Sequence, residues 1–163
     1  MTLAPIAPLP PTAQHTLAPM TEAELDTVVH IENLALSHPW SRGNFADALR
    51  SGYHAQVLRQ GDAVRGYFVA MQILDEVHLL NITVDPQYQG QGLGRALLEA
   101  LLDWSRNTAH AQSLWLEVRE SNTRARQLYE AYGLRQVGAR KKYYPVHHGE
   151  RETAILMSMP LWP

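Results

Sequence analysis

Residues 89–95, with the sequence QGQGLGR, have the composition of a loop that binds a phosphate group. Alternate glycines let the backbone turn tightly and approach a ligand closely. A helix beginning directly after them would point unpaired N–H groups at the phosphate, and its Arg would add a cation. A dinucleotide fingerprint would need glycine at position 95, and a P-loop would end in Gly-Lys-Ser/Thr, so neither motif matches. Because the glycines, the helix start and the Arg all suit a phosphate, the seven residues of the loop are candidate cofactor ligands: Gln89, Gly90, Gln91, Gly92, Leu93, Gly94 and Arg95.

A carboxylate that could move a proton stands at the end of the run SLWLEV, residues 113–118. Strand alternation places Trp115 and Glu117 on one face and the aliphatic residues on the other. A carboxylate beside tryptophan is partly removed from water, which raises its pKa toward the range of a general base. The residues alone are equally compatible with a solvated glutamate at a strand end. Glu76 and His78, on another strand, are rival bases.

The elements that must position these residues begin with a short strand at residues 15–18 and two helices. Thr21 and Glu24 have the S/T-x-x-E spacing of a capping box, which predicts a helix start near residue 21. A second helix is expected from Ser41 to Gly52. Three runs between residues 54 and 84 then alternate as the strands of an antiparallel meander. The third run is apolar from Leu79 to Val84 apart from Asn81 and Thr83, which favours a central strand covered on both faces.

The second half of the chain alternates helices and strands. A helix is predicted over residues 92–107, a strand over 113–118, and a helix from Asn122 to Tyr132 that ends at Gly133. Two strands follow, over residues 140–144 and 152–159. The order predicts an α/β (α+β) domain with a single mixed, mostly antiparallel sheet and helices on both faces. A strand–helix–strand crossover between residues 77 and 118 forms its middle.

Composition narrows the class of protein. The chain has 163 residues, a formal net charge of -2 and no cysteine, which excludes disulfides, thiolate metal sites and a cysteine nucleophile. The eight histidines form no metal motif, so no metal is expected. No apolar run is long enough to span a bilayer, and no Lys or Arg precedes Arg42, so we expect a cytoplasmic protein without a membrane partner.

The charge distribution and the first residues add two further expectations. A net charge near zero argues against direct nucleic-acid binding. Basic side chains are concentrated after residue 94, where an anionic ligand would be attracted. Residues 1–14 are proline-rich and uncharged, which predicts a disordered tail before a domain over residues 15–163.

The spacing Q-x-x-G-x-G, between a strand and a helix, resembles the pyrophosphate loop of the GNAT superfamily of acyl-CoA-dependent N-acyltransferases. The runs LLNITVDPQYQGQGLGRALLEALL, LWLEVRESNTRARQLYEAYGL and KKYYP are similar to those of the RimI family within it, the bacterial ribosomal-protein-alanine N-acetyltransferases. The resemblance implies a GNAT fold, acetyl-CoA as co-substrate and transfer of acetyl to the N-terminal α-amine of a protein. The implied acceptor is the N-terminal alanine of a small-subunit ribosomal protein.

The resemblance also implies roles for individual residues. Glu117 corresponds to the proposed proton acceptor of the LWLEV block, and Tyr129 to the tyrosine that serves as acid toward the leaving thiolate. From the residues alone Tyr129 also fits a packed helix stripe, and Tyr132 is its alternative. Asn122 is a helix N-cap type that contacts the cofactor in the resembling proteins.

Backbone and aromatic groups complete the candidate site. The strand at Ile82, Thr83 and Val84 could pair with the amides of the pantetheine arm and direct an N–H at the thioester oxygen. Trp40, Tyr143 and Tyr144 could wall the acceptor site, although simple packing explains each equally well. Two other functions stay open: acetylation of a small amine such as a polyamine or aminoglycoside, and a non-catalytic acyl-CoA-binding regulatory module.

Overall fold

The computed structural model describes residues 14–145 and 151–163, with only the backbone described for residues 142–145. The tail expected over residues 1–14 therefore lies, except for Gln14, outside the described residues. The strands are β1 (His15–Pro19), β2 (His54–Gln60), β3 (Ala63–Ile73), β4 (Glu76–Val84), β5 (Ser113–Arg119), β6 (Arg135–Pro145) and β7 (Arg151–Pro160). The helices are α1 (Leu25–Ala35), α2 (Arg42–Arg50), α3 (Leu93–Asn107) and α4 (Thr123–Ala131). None of these helices is long and apolar enough to cross a membrane.

The seven strands form one sheet in the order β1-β2-β3-β4-β5-β7-β6. β4 and β5 pair in parallel, with His78 opposite Trp115, because α3 returns the chain between them. The pairs β1/β2, β5/β7 and β6/β7 are antiparallel. The single mixed, mostly antiparallel sheet and its crossover are therefore confirmed.

Two compact units divide the described chain. The first combines the residues up to Val69 with Asn81–Ala100, and its fully buried side chains include Phe45, Tyr67 and Phe68. The second combines Ala70–Leu80 with Leu101–Pro163, and its buried side chains are mostly aliphatic, with Tyr129 among the exceptions. Its fully buried residues include Leu101, Leu114, Leu134 and Met157.

β4 differs from the expected strand with two covered faces. Its burial alternates strictly, and the buried positions are Val77, Leu79, Asn81 and Thr83. The opposite face, which includes Leu80 and Ile82, is half-exposed. The two polar side chains can face inward because a buried carboxylate in the first unit provides partners for them.

The capping box predicted at Thr21 is wrong. Residues Glu22–Glu24 form a short 3₁₀ turn before α1, and the Thr21 hydroxyl donates to the Glu24 carboxylate instead of capping a backbone N–H. Glu24 is drawn away because Arg59, on β2, donates to it at 2.7 Å. A true capping box occurs at Ser41 and Asn44, which start α2.

Candidate functional site

The glycine-rich segment lies between β4 and α3, as predicted. Gly90 and Gly92 have φ of 80° and 82°, in the left-handed region that side chains other than glycine rarely adopt. Both glycines are exposed, so a ligand can approach their backbone. The Ala96 N–H donates to the carbonyl of Gly92 at 3.1 Å, as in a regular helix. The N–H groups of the residues just before Ala96 precede this helical pattern of hydrogen bonds. This local geometry fits a phosphate.

The side chains of the segment contribute unequally. Arg95 and Gln89 are exposed, and Gln91 and Gly94 are half-exposed. Leu93 is buried at 1% exposure, so it can serve a ligand only through its backbone N–H. The amide of Gln89 turns back toward the carbonyl of Val84 at 3.4 Å.

A support beneath this loop was not predicted from the sequence. The guanidinium of Arg65, on β3, lies 3.8 Å from the centre of the Tyr88 ring. The carbonyl of Arg65 also accepts from the Asp85 N–H at 2.8 Å, and the Asp85 carboxylate caps the turn Pro86–Tyr88. β3 thereby holds the start of the loop at two points.

The first unit also contains a buried carboxylate that sequence reasoning missed. Glu32, on α1, has no exposed surface. Its Oε2 accepts from the Trp40 N–H at 2.9 Å and the Asn81 amide at 3.0 Å. Its Oε1 accepts from the Tyr67 hydroxyl at 2.7 Å. Burial is the main cause that raises the pKa of Tyr67 above its ordinary value, and the hydrogen bond to Glu32 adds to it. The Tyr67 hydroxyl therefore keeps its proton and donates it to Glu32 in the hydrogen bond.

Trp40 lies in the loop between α1 and α2, as expected, and is half-buried. Its ring is 5.1 Å from that of Phe45, which meets Tyr67 edge-on at 5.7 Å. An open pocket of about 370 Å³ adjoins Trp40. Its remaining lining residues are Asn44, Asp47, Ala48, Ser51 and Tyr53.

In the second unit, Glu117 alternates with buried neighbours on β5 as predicted. Its carboxylate lies 3.2 Å from Nε of Arg140, on β6, with 25% of the glutamate side chain exposed. The guanidinium of Arg140 thus lies against the candidate base, where it orients the carboxylate.

The rival base His78 has a different environment. Its ring stacks on Trp115 with centres 6.2 Å apart, and its Nε2 lies 2.9 Å from the Glu76 carboxylate. Glu76 and His78 share the half-exposed face of β4 and form a hydrogen-bonded pair of histidine and carboxylate.

α4 carries the candidate acid and its cap. Asn122 is the N-cap, and its side chain accepts from the Ala125 N–H at 3.2 Å. Tyr129 is buried with 6% of its surface exposed, while Tyr132 is half-buried at the C-cap. Both the predicted N-cap and the inward-facing tyrosine are therefore present, and Asn122 itself is exposed.

The loop between β5 and α4 is tied to β7. Glu152 accepts from the Ser121 N–H at 2.6 Å and lies 3.6 Å from the Arg119 guanidinium. A hydrogen bond from the Ser121 side chain is the main cause that lowers the pKa of Glu152, and the bond from the Ser121 N–H adds to it. The two contacts of Glu152 fix the path of the chain as it approaches Asn122.

Tyr143 and Tyr144 lie on β6, where the pairing with β7 shifts between Arg140 and Tyr144. Their side chains lie outside the described residues, so their expected acceptor role stays a prediction. Within residues 14–145 and 151–163, no group of His, Asp or Glu side chains is arranged to hold a metal.

Comparison with known proteins defines the class. The model of the acetyltransferase (GNAT) family matches residues 25–134, and the chain belongs to this family, whose acetyltransferases use acetyl-CoA. The chain is also 42% identical over 147 residues to the ribosomal protein bS18-alanine N-acetyltransferase of Escherichia coli K12, covering 90% of this chain and 98% of that protein. The corresponding enzyme of Haemophilus ducreyi is 35% identical over 87% of this chain and 97% of its own.

A solved structure gives the same result in three dimensions. The ribosomal-protein-S18-alanine N-acetyltransferase from Escherichia coli superposes with a TM-score of 0.85 at 40% identity. The match covers 91% of this chain and 95% of that one. The resemblance seen in the motifs thus extends over nearly the whole chain.

Proposed function

We propose that this protein transfers the acetyl group of acetyl-CoA to the α-amine of an N-terminal alanine, with ribosomal protein bS18 as its acceptor in the bacterial cytoplasm. The observation that carries the proposal is the 42% identity to the Escherichia coli bS18-alanine N-acetyltransferase over almost the full length of both chains.

In this proposal the first unit binds the acyl donor. Residues 89–95 hold the pyrophosphate through backbone N–H groups, aided by the start of α3 and the charge of Arg95. The backbone at Ile82, Thr83 and Val84, on β4, pairs with the pantetheine amides, and one N–H faces the thioester oxygen. The resemblance also assigns Asn122 a polar contact to the cofactor.

The reaction needs two proton transfers. The neutral amine attacks the thioester carbon, a C–N bond forms, and the C–S bond then breaks to release the thiolate. In our assignment Glu117 takes the proton that the amine loses, and Tyr129 gives its hydroxyl proton to the departing sulfur. The Arg140 guanidinium keeps the Glu117 carboxylate oriented.

The acceptor is expected to bind through its first residue. We assign Trp40 to this residue of the acceptor, because an aromatic neighbour would suit a small side chain such as alanine and exclude a larger one. Tyr143 and Tyr144 stay predictions for the same role. An α-amine has an ordinary pKa of about 7.7–8.0 against about 10.4 for lysine, so at neutral pH much more of it is already unprotonated.

The test is mass spectrometry of products formed from acetyl-CoA and three acceptors. These are a peptide beginning with free alanine, the same peptide with a blocked N-terminus and an internal lysine, and spermidine. We expect rapid acetylation of the first on its α-amine and little of the others. Efficient turnover of spermidine with none on the alanine peptide would replace the proposal with a small-amine acetyltransferase. No turnover on any acceptor, with normal acetyl-CoA binding, would favour a regulatory module.

A further inference from the structure

The buried Glu32 cluster in the first unit joins three segments that are far apart in the sequence. The carboxylate accepts from the loop residue Trp40, from Tyr67 on β3 and from Asn81 on β4. The Thr83 hydroxyl lies 3.5 Å from Glu32 Oε1 and 2.8 Å from the side-chain oxygen Oδ1 of Asn81, so Asn81 is its main acceptor. Two side chains that flank Ile82 are thereby tied to one acidic residue.

The composition of the cluster is unusual for a fully buried carboxylate. Its described partners are N–H and O–H donors, and no Lys or Arg side chain is among them. A buried charge without a counterion is costly unless its hydrogen bonds are complete. An apolar side chain in the same place would avoid the free-energy cost of removing a carboxylate from water. We therefore infer that the carboxylate is present to accept hydrogen bonds from Trp40, Tyr67 and Asn81.

We propose that Glu32 is a positioning residue for acetyl transfer, which holds the acceptor wall at Trp40 in register with the strand that binds the acyl donor. The inference rests on the proposed function, because it uses Trp40 as acceptor wall and Ile82 as donor strand. The Trp40 contact is made through its backbone N–H, so it fixes the path of the loop and not merely the ring.

The hydrogen-bond pattern identifies the substitution that separates acceptor from charge. In Glu32→Gln, the amide carbonyl can occupy the position of Oε2, where the Trp40 N–H can only donate. The amide NH₂ then faces the hydroxyls of Tyr67 and Thr83, which can accept as well as donate. Glu32→Gln therefore preserves the anchor, by which we mean the hydrogen bond from the Trp40 N–H to residue 32, whereas Glu32→Leu removes it.

The experiment measures steady-state kinetics with peptides beginning with alanine or leucine, and hydrogen exchange at the Trp40 amide. For Glu32→Leu we expect the KM of the alanine peptide to rise at least tenfold, its preference over the leucine peptide to fall about tenfold, and the KM of acetyl-CoA to stay within about twofold. For Glu32→Gln we expect both peptide parameters within about threefold of wild type. The Trp40 amide should exchange much faster in Glu32→Leu alone.

Glu24→Leu is the matched control, because Glu24 is a second buried carboxylate of the first unit, bonded to Arg59 and not to Trp40. It should lower stability without moving the peptide KM. If Glu32→Leu does not fold, Glu32→Asp serves instead, since its shorter side chain withdraws from the Trp40 N–H while keeping the charge.

Two results would overturn the proposal. One is an unchanged peptide KM and peptide preference in the folded variant that lacks the anchor, as a purely structural role requires. The other is a Glu32→Gln protein as impaired as Glu32→Leu, which would show that charge matters and not the anchor. If wild type fails to acetylate the alanine peptide, the proposed function fails, and the exchange of the Trp40 amide still decides whether Glu32 anchors the loop.

Discussion

At the residue scale, the two side chains that we propose as base and acid lie in different environments. Glu117 is three-quarters buried beside a guanidinium, whereas Tyr129 is almost completely buried on α4. A base must exchange its proton with water after each turnover, and partial exposure permits this. The acid must regain a proton after each turnover, so the hydroxyl of a buried ring must be reachable both from the leaving sulfur and from water.

Replacing Tyr129 by phenylalanine tests the acid role. The ring and its packing remain and only the hydroxyl is lost, so kcat should fall by about 10²-fold while the Kd of acetyl-CoA stays nearly unchanged. Release of CoA thiol can be followed with a thiol reagent. Tyr132→Phe, at the half-buried C-cap of the same helix, should retain most activity. If the two variants exchange these outcomes, Tyr132 is the acid.

Glu117→Gln tests the base in the same assay. The amide keeps the shape and can still accept from Arg140, but it cannot take a proton, so kcat should fall by about 10²-fold. Glu120→Gln is the control, because Glu120 is exposed just beyond β5. Near-normal turnover in Glu117→Gln would direct attention to the pair of His78 and Glu76.

At the element scale, local periodicity predicted most of what the structure contains. Alternation identified β2, β3 and β5, an apolar run identified β4, and α3 was predicted where the structure has it, with Leu93, Leu97 and Leu101 buried on one face. The predicted strands and helices needed only adjustments at their ends, such as the earlier start of β6 at Arg135.

What local patterns could not predict depends on distant partners. Glu32 meets groups 8, 35 and 49 residues away along the chain. Glu24 fails to complete a capping box because Arg59, 35 residues away, takes its carboxylate. Similarly, Arg140 pairs with Glu117 across β7, which stands between their strands in the sheet. Such pairs exist only after the sheet order is known.

The glycine-rich loop makes a prediction of its own. Gly92→Val would force a branched side chain into a backbone with φ of 82° and place it where the phosphate is expected. We expect calorimetry to show at least tenfold weaker binding of acetyl-CoA. Gly61→Val is matched for strain, since Gly61 has φ of 60° in the β2–β3 turn. It should lose stability, by roughly 1–2 kcal/mol, with unchanged binding. Equal effects on binding would remove the loop from the cofactor site.

The start of β2 predicts how stability depends on pH. Burial lowers the pKa of His54 from 6.5 to about 4, so the folded protein resists protonation that the unfolded chain accepts. The contribution of neutral His54 to the free energy of unfolding is therefore fully present above pH 6.5, and it is lost as the pH falls from 6.5 to 4. Because the side chain is only half-buried, we expect a loss of about 1–2 kcal/mol.

Chemical denaturation at pH 7 and pH 4.5 measures this effect. His54→Phe keeps a ring beside Phe68, 5.4 Å away, and should reduce the difference in unfolding free energy between the two pH values. His30→Gln, on an exposed position of α1, should leave that difference as in wild type. An unaltered difference in His54→Phe would assign the acid sensitivity to other groups.

At the scale of the whole molecule, charge and length set how the protein should respond to its co-substrate. The net charge is only -2, so overall repulsion of an anionic cofactor is weak. Basic residues concentrated after position 94 add a local attraction that salt should screen. Binding should therefore weaken moderately, and not collapse, as the salt concentration rises.

The last prediction concerns thermal stability of the full chain. A ligand that binds only the native state stabilises it by RT ln(1 + [L]/Kd), which is about 2.7 kcal/mol when its concentration is 100 times Kd. For a chain of 163 residues, each kcal/mol moves Tm by about 2–4 °C. Saturating acetyl-CoA should thus raise Tm by roughly 5–11 °C in scanning calorimetry. ATP and NAD share the pyrophosphate but lack the pantetheine arm that β4 is proposed to bind, so at equal concentration they should raise Tm by far less. A shift from ATP as large as that from acetyl-CoA would mean that the loop recognises phosphate alone and that β4 adds nothing to the choice of cofactor.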